Sequence, residues 1–269
     1  MWKKVKRFLS LWGKKFKKPY IIVIEGLDGA GKETSTNALH DLLTNEGYKV
    51  KKISFPMYDR WHSFLVRWFL KGKFGNSPYS VSPRIASLFY SIDRFFGYHF
   101  SIVQDLKTEE EQTGEPYDFI IFDRYTTASM LYQGAKEDNR YHGISVAKFI
   151  EFVEYTLFRL PRPNKIFVLS STAEQSKEAM KNRAKLDVNE ADLAYQQNVR
   201  KFLNVLIDYY RWFPIATRHE DPPYEWYDPK DIAQTMYDHI EFYVFASIKL
   251  LKKDTKMGII DSITIQKGE

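Results

Sequence analysis

The chain has 269 residues, 44% of them hydrophobic and 28% charged, and a formal net charge of +6. Those proportions describe a globular protein long enough for one large α/β domain. Its 20 Phe, 18 Tyr and 6 Trp exclude wholesale disorder, which needs a polar, aromatic-poor chain. The absence of cysteine excludes disulfides, thiol catalysis and cysteine metal sites; it fits a reducing compartment, and a cytoplasmic location is expected.

Residues 1–18 hold Lys3, Lys4, Lys6, Arg7, Lys14, Lys15, Lys17 and Lys18 and no acid. Taking those eight from the 40 basic residues leaves 32 against 34 acids, so the basic character belongs to this arm and not to the body. Trp2, Val5, Phe8, Leu9, Trp12 and Phe16 recur at helical steps, with the cations around them. Two readings stand side by side: a helix for a membrane surface or nucleic acid, and a helix folded onto its own domain. The expected organisation is a basic amphipathic arm over 1–18, one α/β domain over 19–253 and a tail over 254–269. The longest apolar runs, such as 21–24, fall far below the ~18 residues of a membrane span.

Tyr20-Ile21-Ile22-Val23-Ile24-Glu25 reads as a buried strand ending at glycine. A helix is predicted over 31–45, then a strand over 49–55 ending at Pro56, a short aromatic helix over 61–70 and a Gly/Ser/Pro loop over 72–82. Pro83 opens a long helix towards Lys107. The third strand is Phe119-Ile120-Ile121-Phe122, leading into Asp123-Arg124. Helices over 128–133 and 144–159, a strand over 165–169, helices over 173–185 and 190–211, a weakly marked strand over 214–217 and a helix from Asp228-Pro229 to about 253 complete the series. Residues 257–265 read equally as an edge strand or a tail. Strands spaced by helices imply a parallel sheet of about five strands covered by helices on both faces, with ligands at the carboxyl ends of the strands.

Gly26-Leu27-Asp28-Gly29-Ala30-Gly31-Lys32 fits a loop that wraps a nucleotide triphosphate. Its glycines let backbone amides face the phosphates, and the lysine ammonium bridges the outer ones. ATP contacts are expected from Gly26, Gly29, Ala30, Gly31, Lys32, Glu33 and Thr34. The strict pattern ends in Ser or Thr for Mg²⁺, but Glu33 stands there and Thr34 follows. A carboxylate so placed must turn away, contact the metal or weaken binding.

The stretch Ile24 to Thr34 resembles the start of thymidylate kinases, which phosphorylate dTMP to dTDP with ATP. Three further segments agree in order and spacing. Phe55-Pro56 resembles the family's turn after the second strand. Ser87 to Arg94 is similar to its helix ending in Asp-Arg. Asp123-Arg124-Tyr125 through Tyr132-Gln133-Gly134 is similar to its third segment. The likeness runs from about Tyr20 to Ile240 and fades after Leu169.

The resemblance implies a P-loop kinase fold with a lid, ATP as donor, and Mg²⁺ held by Thr34 and, through water, by Asp123. It implies Lys32, Asp28, Arg124 and a lid arginine, best matched by Arg183, as catalytic groups. Asp28 would lie near the acceptor's sugar and phosphate, Arg124 would hold its phosphate, and Tyr90 would stack on the base. Arg94 would hydrogen-bond the base, Tyr132 would pack on the deoxyribose, and Phe55, Ser129 and Gln133 would line the pocket. Small-molecule nucleotides are the expected partners, with a homodimer and a surface contact through residues 1–18 left open. Competing readings are a kinase for another deoxynucleotide or a deoxynucleoside, and a nucleotide-binding protein of low turnover acting through its arm.

Overall fold

The run Ile21-Ile22-Val23-Ile24 places four β-branched side chains in succession, a pattern that suits a strand buried on both faces. In the computed structural model, which describes residues 19–170, 192–218 and 225–242, this run is the centre of β1 (Tyr20–Gly26). Alternate side chains serve opposite faces, as the strand period of two requires. Ile22 and Ile24 pack on one side of the sheet, and Ile21 and Val23 pack on the other.

Helix α1 (Lys32–Asn45) follows β1 and leads to β2 (Val50–Ser54). A short 3₁₀ turn (Trp61–Ser63) precedes α2 (Phe64–Leu70), and α3 (Pro83–Gly97) begins at its proline. A π-helical segment (Tyr98–Ile102) joins α3 to α4 (Val103–Thr113), so the long helix expected towards Lys107 is continuous but wound differently at its middle. Next come β3 (Phe119–Asp123), α5 (Thr126–Gly134) and α6 (Arg140–Glu151). Helix α6 ends in a second π segment, Phe152–Leu157. Strand β4 (Lys165–Ser170), α7 (Leu193–Tyr210) and β5 (Phe213–Ala216) follow. A last helix, α8, occupies 229–242. The expected helix over 173–185, the arm and the tail lie outside the described residues.

The five strands are parallel in the order β2-β3-β1-β4-β5. On one face, Leu39 and Leu43 of α1 and Ile232, Met236 and Ile240 of α8 meet Ile22, Ile24, Ile121 and Phe167. On the other, α5, α6 and α7 close over Leu27 and Val168 with Met130, Leu131, Val146, Val199 and Leu206, while Ile102 covers Ile120 and Phe122. The chain leaves β1 for α1 on the first face and leaves β3 for α5 on the second. Since β1 and β3 are neighbours, a crevice opens between their carboxyl ends, where α/β sheets hold ligands. The register brings Ile24 beside Asp123 and Asp123 beside Ser54, so the loops that follow all start at one edge.

Candidate active site

Two glycines set the frame of the site for different reasons. Gly31, just before α1, has φ 79°, a left-handed backbone that side chains with a Cβ adopt at a cost. Gly134, the last residue of α5, allows close packing: a Cβ there would stand 2.2 Å from the Phe202 ring of α7. The glycine closing the Tyr-Gln-Gly segment thus lets α7 come close to α5.

Asp28 sits at the centre of the crevice, 5% exposed. Its Oδ1 accepts a hydrogen bond from Arg124 Nη2, its Oδ2 accepts one from Tyr132 Oη at 3.0 Å, and Lys32 Nζ stands 3.7 Å from Oδ1. Groups from the loop after β1, the end of β3 and helix α5 therefore converge on one carboxylate. Burial works to raise its pKa, but the charges of Arg124 and Lys32 and the two hydrogen bonds outweigh that and hold it well below the usual carboxylate range.

Lys32 Nζ donates to the carbonyls of Gly26 and Leu27 at 2.8 and 2.7 Å. Burial, with the repulsion of Arg124, lowers its pKa to about 8, against the attraction of Asp28 and Glu25. Arg124 has φ 62°, a left-handed conformation rare outside glycine and found where surroundings impose it. It spends Nη2 on Asp28, its guanidinium lies 5.6 Å from the Tyr132 ring centre, and about a third of its side chain is exposed. A guanidinium carries five N–H donors, so an acceptor phosphate can be met while Asp28 is kept.

Behind this group lies Arg94, only 2% exposed. Its Nε donates to Glu154 Oε2 at 2.9 Å and its Nη2 to Glu154 Oε1 at 2.6 Å, a bidentate pair. Nη2 also donates to Ser129 Oγ at 2.5 Å. Glu154 accepts two further bonds, from Ser91 Oγ at 2.7 Å and Thr126 Oγ1 at 2.6 Å. No bond from Arg94 Nη1 occurs among the described residues, which leaves that end for a ligand. Glu154 was missed in the sequence, where nothing separates it from Glu151 three residues earlier; the π-helical winding sets its place. Asp93, the other half of the Asp-Arg pair, instead braces the turn after β2. It accepts bonds from Met57 N at 3.1 Å, from His62 Nδ1 at 2.7 Å and from Ser63 Oγ.

Tyr90 is half-buried one turn before Arg94, edge-on to Phe69 at 6.3 Å. Gln133 is 1% exposed, and its Oε1 has no hydrogen-bond partner among the described residues. Phe55, just after β2, is 2% exposed, stacks on Phe122 at 5.9 Å and packs by Tyr125, on the same side of the sheet as Ile53.

Glu33 and Thr34 are exposed on the first turn of α1, where the Glu33 carboxylate complements the positive end of the helix. Asp123 Oδ1 is buried without a hydrogen-bond partner among the described residues, at the edge where phosphates would lie. An orphaned carboxylate oxygen there fits a divalent cation or its water. Arg183 lies outside the described residues. Trp226, passed over in the sequence, has ring carbons 3.2 Å from where a Gly31 Cβ would stand, and Arg218 holds its guanidinium 3.9 Å from the ring centre. Nothing in the local sequence signals this, because α8, the strand β5 and the loop must fold together before Trp226 meets Gly31.

Residues 24–221 match the family model described as thymidylate kinase. The chain belongs to the thymidylate kinase family. The kinase is 29% identical over 179 residues to a thymidylate kinase of Mycobacterium tuberculosis, a match covering 66% of this chain and 78% of that protein. It is 28% identical over 181 residues to a probable thymidylate kinase of Archaeoglobus fulgidus, covering 67% and 79%. A solved thymidylate kinase structure from Candida albicans aligns with TM-score 0.58 and 19% identity over 84% of this chain and 92% of that one, a likeness of fold. No helix among the described residues is long and apolar enough to cross a membrane.

Proposed function

We propose that Lys32, Asp28 and Arg124 carry the transfer of the ATP γ-phosphoryl group to dTMP, the reaction of the family to which the chain belongs. The single observation that supports this most is the Asp28–Arg124–Tyr132 network with Lys32 beside it, which spans the crevice between the phosphate loop and the end of β3. An acceptor phosphate oxygen forms the new bond to the γ-phosphorus as the bond to ADP breaks, so the protein's work is alignment and charge stabilisation. Lys32 exchanges its loop carbonyls for the donor phosphates. Arg124 orients the acceptor phosphate, and Asp28 keeps that guanidinium in place while Tyr132 fixes the other carboxylate oxygen. Arg183 is proposed to reach the donor phosphates from the lid.

Tyr90 offers its face to the thymine, and Arg94 Nη1, Ser129 and Gln133 supply polar contacts for a base edge. Glu154 locks Arg94 so that one guanidinium edge stays forward. Tyr132, held by Asp28, packs against the deoxyribose. Trp226 offers an apolar platform beside Gly31 for the donor base. Bound Mg²⁺ supplies neutralisation of the transferring charge, and Asp123, through water, and Thr34 would hold it.

Purified protein given ATP, Mg²⁺ and a panel of monophosphates tests the reading. dTDP formation from dTMP far ahead of dUMP, dGMP and thymidine is the expected result, and Lys32→Ala should abolish it. Turnover of another acceptor in preference, or full activity of the alanine variant, overturns the assignment.

A further inference from the structure

A second carboxylate lies behind the phosphate loop, and the transfer as described makes no use of it. Glu25, the penultimate residue of β1, is fully buried. Its Oε1 accepts the backbone N–H of Gly26 at 3.0 Å, and its Oε2 accepts the hydroxyl of Thr127 at 2.9 Å. One side chain thus ties the first amide of the loop to the first turn of α5. Lys32 and Arg124, one from each side of the crevice, are the two cations whose fields act on it.

We propose that Glu25 is a positioning residue, the shared counter-charge of Lys32 and Arg124, and that its negative charge limits how tightly the two nucleotides are held. The proposal rests on the dTMP kinase reading for its acceptor half. The charges of the apo site explain the role. Lys32 and Arg124 bring two positive charges, and Asp28 meets Arg124 directly but stands 3.7 Å from Lys32. Glu25 brings the second negative charge. A site left with excess positive charge would grip phosphates more firmly, and a kinase whose products leave slowly loses turnover.

A carboxylate is a costly choice if only shape is needed here. Burial pushes its pKa up, against the pull of Lys32 and Arg124 and the bonds from Gly26 and Thr127. An amide of the same outline would accept the Gly26 N–H through its oxygen and donate its own N–H to the Thr127 hydroxyl, with far less desolvation. The charge is therefore the property that shape cannot supply. Glu25 touches no nucleotide, since its two oxygens are turned to Gly26 and Thr127.

The experiment compares Glu25→Gln, which keeps the outline and removes the charge, with Glu25→Asp, which keeps the charge. Affinities for ADP and dTMP are measured by calorimetry, kcat by coupled assay and Tm by scanning calorimetry. Glu25→Gln is expected to bind ADP and dTMP about tenfold more tightly and to turn over more slowly, the effect of removing one nearby charge in a partly buried site. Glu25→Asp should bind both nearly as the wild type does. A merely structural role predicts the opposite: weaker binding with a lower Tm. Unchanged or weaker affinity in Glu25→Gln, or Glu25→Asp behaving like Glu25→Gln, overturns the proposal. Thr127→Val gives a second route should Glu25→Gln not fold. It removes one of the two donors that favour the charged carboxylate, so a larger share of Glu25 is neutral and ADP binding should tighten by a smaller factor; no change would count against the idea. The ADP measurement needs no acceptor, so a failed dTMP reading is told apart from a failed role for Glu25.

Discussion

Replacing Glu154 by Gln keeps the outline of the side chain and removes its charge beneath Arg94. The wild-type carboxylate is fully buried and accepts four hydrogen bonds, two from Arg94 at 2.6 and 2.9 Å and one each from Ser91 and Thr126. Arg94 cannot escape by losing its proton, because Glu154 outweighs burial and raises its pKa further. Removing one partner of such a pair strands the other charge out of water, at a cost of about 3–5 kcal/mol. Against a total stability of about 5–15 kcal/mol that is a large fraction. It corresponds to a fall in Tm of about 6–20 °C at about 2–4 °C per kcal/mol for a domain of this size. Urea unfolding followed by tryptophan fluorescence measures the loss directly. The double variant Arg94→Met/Glu154→Leu should lose much less than the sum of the single variants, since apolar groups of similar volume can replace a buried ion pair. A cost below about 1 kcal/mol for Glu154→Gln, or full additivity in the double variant, would refute the claim that the pair is closed to water and mutually dependent.

Three other outcomes follow from the same geometry. Lys32, lowered to about 8, loses its proton in the free enzyme as pH rises through that value, so ATP affinity should weaken above pH 8 by up to about tenfold per unit, and Lys32→Arg should stay flat. Stability moves the other way: from about 8 to the ordinary lysine value of 10.5 the unfolded chain holds the lysine proton more firmly than the fold, so this residue makes the fold more stable as pH rises. Tyr90→Ala should raise KM for dTMP about tenfold, the worth of one stacked base, and leave KM for ATP nearly unchanged; equal effects on both would remove the stacking role. Trp226→Ala should do the reverse, raising KM for ATP by a similar factor, and an unaltered KM for ATP would dismiss the platform beside Gly31.

Much of this arrangement is written locally. Four successive β-branched residues, followed by Glu25 and Gly26, favour the strand β1, and Gly26 to Lys32 turns into α1 because its glycines permit the left-handed bend seen at Gly31. Pro83 opens α3, and Pro229 opens α8 after Asp228, as terminal prolines do. All five strands were found at or within two residues of their expected places, including β5, displaced by one residue to Phe213–Ala216. The aligned motifs carry the family, and they point to Asp28, Arg124 and Tyr132 as site residues without showing which of them touch.

What the chain order could not tell is which charges meet. Asp28 and Arg124 are 96 residues apart and Arg94 and Glu154 are 60 apart, and each pair forms only when a parallel sheet brings distant strand ends to one edge or two helices cross. Glu154 stood in the sequence beside Glu151 as one more acid on a helix, and the π winding at 152–157 put one inside and left the other to Arg162 and Tyr210. Periodicity of 3.6 residues cannot see such a step. Local residue patterns determine the strands, the phosphate loop and the helix starts, because those depend on the backbone preferences of a few adjacent residues. The partners of each buried charge depend on distances between segments far apart in the chain, and these exist only in the folded whole.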